Sequence, residues 1–459
     1  LFPRAKYLKI SITFCDTRCF INFTLAMKMF KSSKFWFWSI LILTHLAFFG
    51  VALQQKNFTT KDSSEYIWQA QNLSNNGSWY CGDMTQKINP ALYNQRPPAY
   101  GAFLSLLHID AGIGNVFVLL LLQMGISLLT TYIAVQFVKL FLGEEWNRMW
   151  LLIPLLFFPS QFVYCNMVMS EILLQLFVLL AIYFISRLIK YSQMKDLWWS
   201  QWSVAIAMAI KPVMWLFPFV AAVSFLIHFF NKKVKLIALI TFIIPFSVIA
   251  FFFNYSHTHT GLWEFSSIQR KLMINYNSFA ILKDVFNEEE ATKTISEFQS
   301  SVANLPYVEK CKQIDDFNRE VLFNHPMSAI KVELTGIFNF FAGHPRWDVE
   351  SFYLGEVNVI KPYQSDSQLA LLSYYTYLIA CSIMGVIVLV AFMKFIFSRH
   401  ISYSLRGCVA SIVIYFAIVT GPSASTRFRL PVFPVLMATF CIIANEYVMK
   451  RKAAATYSE

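Results

Sequence analysis

Charge is what this chain has least of. Only 14% of its 459 residues are Asp, Glu, Lys or Arg, against about 25% in an average soluble domain. So few charges cannot cover a surface of this size against water, which excludes a soluble globular enzyme. Other absences narrow the chemistry. There is no P-loop, no Gly-rich nucleotide fingerprint and no zinc-protease motif, so cytosolic ATP or nucleotide-sugar chemistry has no support. The 8 cysteines show no metal or redox spacing. Cys15 and Cys19 lie in a polar N-terminal stretch, Cys165, Cys381, Cys408 and Cys441 in or beside apolar runs, and Cys81 alone in a clearly external loop. Buried free thiols are the expected reading. Residues 1–28 lack the apolar core of a cleavable signal, and the native start is expected at Met27 or Met29.

What the chain has instead is apolar surface. Hydrophobic residues make up 57% and aromatics 17%, with 46 Phe, which excludes disorder. The apolar residues fall in runs of about 20, long enough to cross a hydrocarbon layer about 30 Å thick as a helix. Spans are expected near 35–53, 115–140, 149–164, 172–189, 200–211, 213–230, 234–254, 369–396, 403–420 and 430–447. Basic clusters outside one large loop fall on a single side, among them Lys28, Lys31 and Lys34, Lys139 and Arg148, Arg187 and Lys190, Lys232 to Lys235, and Lys450 to Lys452. That side reads as cytoplasmic. The net charge of +12 is therefore mainly a topology signal, and nucleic acid is not an expected partner.

The resulting division is a cytoplasmic segment 1–34, a transmembrane catalytic module 35–254 with a first external loop 54–114, and an external region 255–367. A C-terminal transmembrane module 368–449 and a cytoplasmic tail 450–459 follow. PPAYGAFLSLLHI (97–109) is apolar but too short to cross, and reads as a helix lying along the outer interface.

Ionisable residues gather at the outer membrane edge. Asp62, in DSSEY, could act as a general base towards a hydroxyl or amine. With Glu65 three residues on, it also fits a capping box opening a helix. Arg96, in QRPPAY, could clamp a lipid phosphate with its guanidinium or anchor to headgroups. Glu171 stands at the membrane entrance of a span, where an unpaired acid is costly and a functional role is the default. Lys211 before Pro212, and Arg427 with Arg429 in STRFRLP, break the positive-inside pattern and ask for an anionic partner. Either the two acids supply it or a phosphate does. Two acids and several cations around one cavity suit sugar transfer from a polyprenyl-phosphate carrier, where cations stabilise the departing phosphate. His257 and His259 read as two loop histidines, and Glu288 to Glu290 as a solvated face.

Four stretches, DSSEYIWQAQNL, RPPAYGAFLSLL, NMVMSEILLQLF and RFRLPVFPVL, with IKPVMWLFPF beside them, resemble the glycosyltransferase family 39 type of membrane enzyme. That family includes protein O-mannosyltransferases and lipid A aminoarabinose transferases. The resemblance covers about residues 35–450 and implies an all-α polytopic membrane protein, a GT-C type bundle of about ten transmembrane helices. It also implies interfacial helices and one large external region.

By the same resemblance Asp62 is the catalytic acid of the first loop, Glu171 a second acid, and Arg96 a contact to the donor phosphate. Lys211, Arg427 and Arg429 match other basic positions, and Glu65, Tyr66 and Pro97 stand with the substrate-binding residues. Asp62 is expected to face Arg96 and Lys211 across a gap sized for a sugar phosphate. The adjacent Asp-Glu of protein O-mannosyltransferases is here split by two serines, and no further sugar-binding domain is expected after the last span, which favours a bacterial-type transferase. The expected partners are a polyprenyl-phosphate sugar donor, a lipid, glycan or protein acceptor, and membrane lipids. The expected location is a bacterial inner membrane with the site facing the periplasm or exterior. No cofactor is required, and a divalent metal has no support in the sequence. The competing reading is a transporter or flippase of a lipid-linked saccharide; no internal repeat is visible and the charges sit at the membrane edge, not the midplane.

Overall fold

The computed structural model describes residues 33–109, 115–144, 146–229, 236–355, 367–423 and 425–458. The expected start at Met27 or Met29, Cys15, Cys19 and the basic cluster Lys232 to Lys235 lie outside them. Among the described residues there are helices and no strands, as an all-α polytopic membrane protein requires: in hydrocarbon the backbone must satisfy its own hydrogen bonds.

Among the described residues, seven helices are long and apolar enough to cross a membrane. They are α1 (Ser33–Gln55), α4 (Val116–Leu142), α7 (Glu171–Tyr191), α10 (Ile243–Thr260, part of the longer Ala238–Thr260 span), α15 (Gln368–Phe397), α16 (Tyr403–Thr420) and α18 (Phe433–Ser458). The other three expected spans are short or broken. Pro154 and Pro159 divide residues 149–164 into α5 (Met149–Leu156) and α6 (Ser160–Cys165). Proline removes a backbone donor and cannot continue a helix cleanly. Helix α8 (Met194–Ile210) has 17 residues and stops before Lys211-Pro212, and α9 (Phe217–Phe229) has 13.

Helical spacing decides which faces are buried. In α1 the residues Phe37, Leu41, His45, Phe49 and Ala52 turn inward, every third or fourth position, while Leu43 and Leu46 stay exposed, as lipid-facing residues would. The bundle core carries a chain of polar side chains. His45 meets Ser127 at 2.9 Å, Gln161 donates to Ser127 at 2.7 Å and to Gln175 at 2.9 Å, and Gln175 donates to the Leu430 carbonyl at 2.8 Å. Buried polar groups without water must pair with one another. Their effect here is to tie α7 to the turn between α16 and α18.

At the same end lie α2 (Lys61–Asn76), α3 (Pro98–Leu106) and the described residues 261–355 of the external region. Helix α3 occupies the stretch expected to be interfacial. The region contributes the hairpin α11 (Glu288–Ser301) and α12 (Tyr307–Asn324), which has its own small core around Ile281, Ala291, Ile295 and Val321. Glu288 to Glu290 form the exposed first turn of α11, where carboxylates complement the helix dipole. Then come α13 (Pro326–Ala342), packed on α15 and α16, and the short α14 (Arg346–Leu354). His257 and His259 are not in a loop: they lie in the last turn of α10, His257 stacked on Trp263 and His259 tilted against Tyr255. Cys81, Cys165, Cys381, Cys408 and Cys441 are buried free thiols, as is Cys311.

Candidate active site

Helix α2 begins one pair earlier than the capping-box reading places it. Thr60 is its N-cap, and the Thr60 backbone N–H donates to Ser63 Oγ at 2.8 Å. Asp62 and Glu65 are thereby released from capping and stand one turn apart on the helix flank. Gln69, one turn further on, donates to the Arg96 carbonyl at 2.8 Å. That fixes the backbone of Arg96 immediately before the two prolines that open α3.

Glu171 is the first residue of α7, and Lys211 follows the last residue of α8. These two helices form an antiparallel hairpin, so the N-terminus of one and the C-terminus of the other meet at one level. The dipole of each end favours the charge it carries. Val168 N–H donates to the Phe58 carbonyl at 2.7 Å, which sews the turn before α7 to the first loop and brings Glu171 towards Asp62. Helix α17 (Thr426–Arg429) delivers Arg427 between them.

The outcome is a row of alternating charge. Arg96 pairs with Glu65 at 2.6 Å and with one Asp62 oxygen at 2.9 Å. Arg427 holds the other Asp62 oxygen at 2.6 Å and also bonds Glu171. Lys211 closes the row on Glu171 at 2.6 Å. Among the described residues, three cations and three carboxylates form it, and it is formally neutral. The expected gap between Asp62 and the cations is not present: Arg427 fills it, and Lys211 pairs with Glu171 instead of Asp62.

Exposure separates the two acids. The Asp62 side chain is 27% exposed and that of Glu171 0%. Asp62 can therefore meet an incoming group, whereas Glu171 forms the floor. One Glu171 oxygen, Oε2, is buried with no hydrogen-bond partner among the described residues. Burial is the largest influence on Asp62 and pushes its carboxyl up. Arg427 and Arg96, helped by Lys211, outweigh burial and hold it well below the usual carboxylate range.

Three expected site residues do not face outward. Tyr66 is fully buried beneath the row: its ring lies under Arg96 at 5.2 Å and its hydroxyl meets Ser170 at 2.9 Å. Pro97 is buried and starts α3. Arg429 lies two residues from Arg427 on a helical turn, a rotation of about 200°, so it points into the core. It donates to the Phe341 carbonyl and lies over the Phe158 ring at 4.9 Å.

One residue at the site had no legible signal in the sequence. Asp348, in α14, is buried and accepts hydrogen bonds from Ser160 at 2.5 Å, Tyr164 at 2.8 Å and Thr426 at 2.6 Å. Burial raises its carboxyl above the ordinary value against the pull of these hydroxyls. Thr426 precedes Arg427, and the Tyr164 ring lies 5.9 Å from the Arg427 guanidinium. Asp348 thus clamps α17 to α6. Asp348→Ala strips three buried hydroxyls of their acceptor and is expected to lower stability by about 1–3 kcal/mol, read as thermal unfolding in detergent. An unchanged melting temperature would remove Asp348 from this role.

No family model matches the chain, and no curated protein matches it. Among solved structures the chain is similar to the archaeal oligosaccharyltransferase AglB from Archaeoglobus fulgidus, solved with an inhibitory peptide and a dolichol-phosphate. The TM-score is 0.42 and the identity 11%, over 92% of this chain and 52% of that one. It is also similar to ArnT from Cupriavidus metallidurans in the apo state, with a TM-score of 0.38 and 12% identity, over 90% of this chain and 78% of that one. The chain spans about half the length of AglB.

Proposed function

We propose that the protein is an integral-membrane glycosyltransferase, of the GT-C type that its sequence motifs resemble. It takes a sugar from a polyprenyl-phosphate-linked donor and transfers it to a lipid, glycan or protein acceptor at the outer face of the membrane. The observation that carries this reading is Arg427, shared by the partly exposed Asp62 and the buried Glu171, with Arg96 and Lys211 flanking them.

In the resting row every cation is occupied by a carboxylate, and Asp62 is a poor base. A lipid phosphate arriving at the mouth competes for Arg427 and Arg96, which suit planar, bidentate recognition of phosphate oxygens. A carboxylate freed from two guanidinium groups in a partly buried site gains basicity, because the burial that opposed its charge then dominates. Asp62 takes the proton of the acceptor as the acceptor attacks the anomeric carbon. The carbon–oxygen bond to phosphate breaks, and the charge left on the lipid phosphate falls on the arginines. A single displacement inverts the anomeric configuration.

The purified protein in lipid vesicles, given a polyprenyl-phosphate sugar and a membrane-lipid extract as acceptor on the side of the site, is expected to move the sugar to an acceptor hydroxyl or amine and release polyprenyl phosphate. Movement of the intact donor across the bilayer without cleavage would instead identify a transporter.

A further inference from the structure

Helix α13 belongs by sequence to the 255–367 region outside the membrane, yet two close backbone contacts set its depth. A Cβ on Gly385 of α15 would lie 2.3 Å from the Phe341 carbonyl oxygen near the end of α13. Gly385 is the eighteenth of the 30 residues of α15, about 26 Å along a helix about 45 Å long. Wherever a hydrocarbon layer about 30 Å thick is set along that helix, Gly385 falls inside it. Phe341 is therefore within the layer. A Cβ on Gly336 would lie 2.3 Å from the Gly421 carbonyl oxygen, so Gly336 is level with the residue that ends α16. The last turns of α13 run inward from that level.

The outer surface of α13 fits this depth. Met327, Ile330, Leu334 and Phe338 share one stripe and are 54–76% exposed, matching the lipid-facing Leu43 at 65% and Ile379 at 61% on the spans. The opposite face is buried at Gly336 and Phe340. The end of the helix fits as well. The last carbonyls of a helix lack intrahelical donors, and in a layer without water each needs one. Arg429 donates to the Phe341 carbonyl, and the Gly343 N–H donates to that of Asn339 at 2.8 Å. The inward turn of Arg429 thereby acquires a reason.

We infer that the C-terminal half of α13 is embedded in the membrane leaflet at the site's end of the bundle, with Leu334 and Phe338 covered by lipid acyl chains and Met327, Ile330 and the exposed Lys331 outside the Gly421 level. The occupant is lipid because the surface is continuous with that of two spans and lies at their depth. The 255–367 region is then not wholly outside the bilayer. Lipid chains reach the helix that leads directly into α14, whose Asp348 holds the turn carrying Arg427.

The test is a nitroxide placed singly by Leu334→Cys and Phe338→Cys in the full chain. The protein is reconstituted in phosphatidylcholine–phosphatidylglycerol vesicles, with the unsubstituted chain as background. Collision with oxygen is compared with collision with a water-soluble nickel chelate. Labels at 334 and 338 are expected to match a label at Ile379, with oxygen collisions several-fold above those at Lys293, an exposed position of α11. Nickel-dominated collisions at both, as at Lys293, would overturn the inference. So would protection from both reagents, which would mean that protein covers the stripe. These positions are exposed, so the substitutions spare packing, and the readout is independent of whether sugar transfer occurs.

Discussion

Asp62→Asn is expected to lower the rate of sugar transfer about 10²–10⁴-fold, the range for loss of a general base, with expression and membrane insertion intact. The substitution keeps the shape of the side chain and leaves one oxygen to accept from Arg96 or Arg427, so the row loses a charge without losing its outline. Glu171 cannot take over the base role: it is fully buried and holds two cations. Transfer measured on purified variant in vesicles decides the matter; a rate within a few-fold of wild type removes Asp62 from the base role.

Sign and range of the pH response follow from the same contacts. The folded-state carboxyl of Asp62 is depressed, so the stability its ion pairs contribute is present above the unfolded value near 3.8. It is lost only as pH falls through the lower folded value. Between about pH 5 and 8, Asp62 stays ionised and contributes no change in stability.

Arg427 carries the second large effect. It is the link that Asp62 and Glu171 share, and removing one partner of a buried pair strands the other charge. Arg427→Ala is expected to cost about 3–5 kcal/mol of stability and to reduce transfer at least as far as Asp62→Asn does. Its signature is in the pH profile. With Arg427 gone, burial opposes only Arg96 and the more distant Lys211, and the Asp62 carboxyl rises towards the ordinary carboxylate range. An acid limb then enters the residual pH–rate profile from below. Arg427→Lys keeps a charge but cannot span two carboxylates with a fixed fork, so it should rescue stability better than transfer. A stable, fully active Arg427→Ala protein would show that the row is structural ornament to chemistry elsewhere.

How much of this was legible beforehand varies residue by residue. Apolar runs and the sidedness of Lys and Arg gave the membrane class and the long spans, because hydrocarbon thickness imposes a length that any reader can count. Residues 149–164 and 200–211 read as continuous apolar runs, because hydropathy does not register that the helix holding Pro154 stops at Leu156 and a second begins after Pro159. Asp62, Glu171, Arg96, Lys211 and Arg427 could be singled out because charge at a membrane edge is costly and therefore informative. Tyr66, a sequence neighbour of Asp62, lies beneath the row, and Pro97, next to Arg96, is buried at the start of α3.

The sequence alone determined that these ionisable groups exist, and that most must find partners at one end of a helical bundle. Only the tertiary structure decided who pairs with whom. Arg427 reaches Asp62 across 365 positions, and Asp348 holds Thr426 from an element that hydropathy reads as plain external chain. Such pairings are set by how the α7–α8 hairpin and the α16–α18 turn dock. No local pattern encodes a distance between residues so far apart, and the buried charges are satisfied only once the helices have packed.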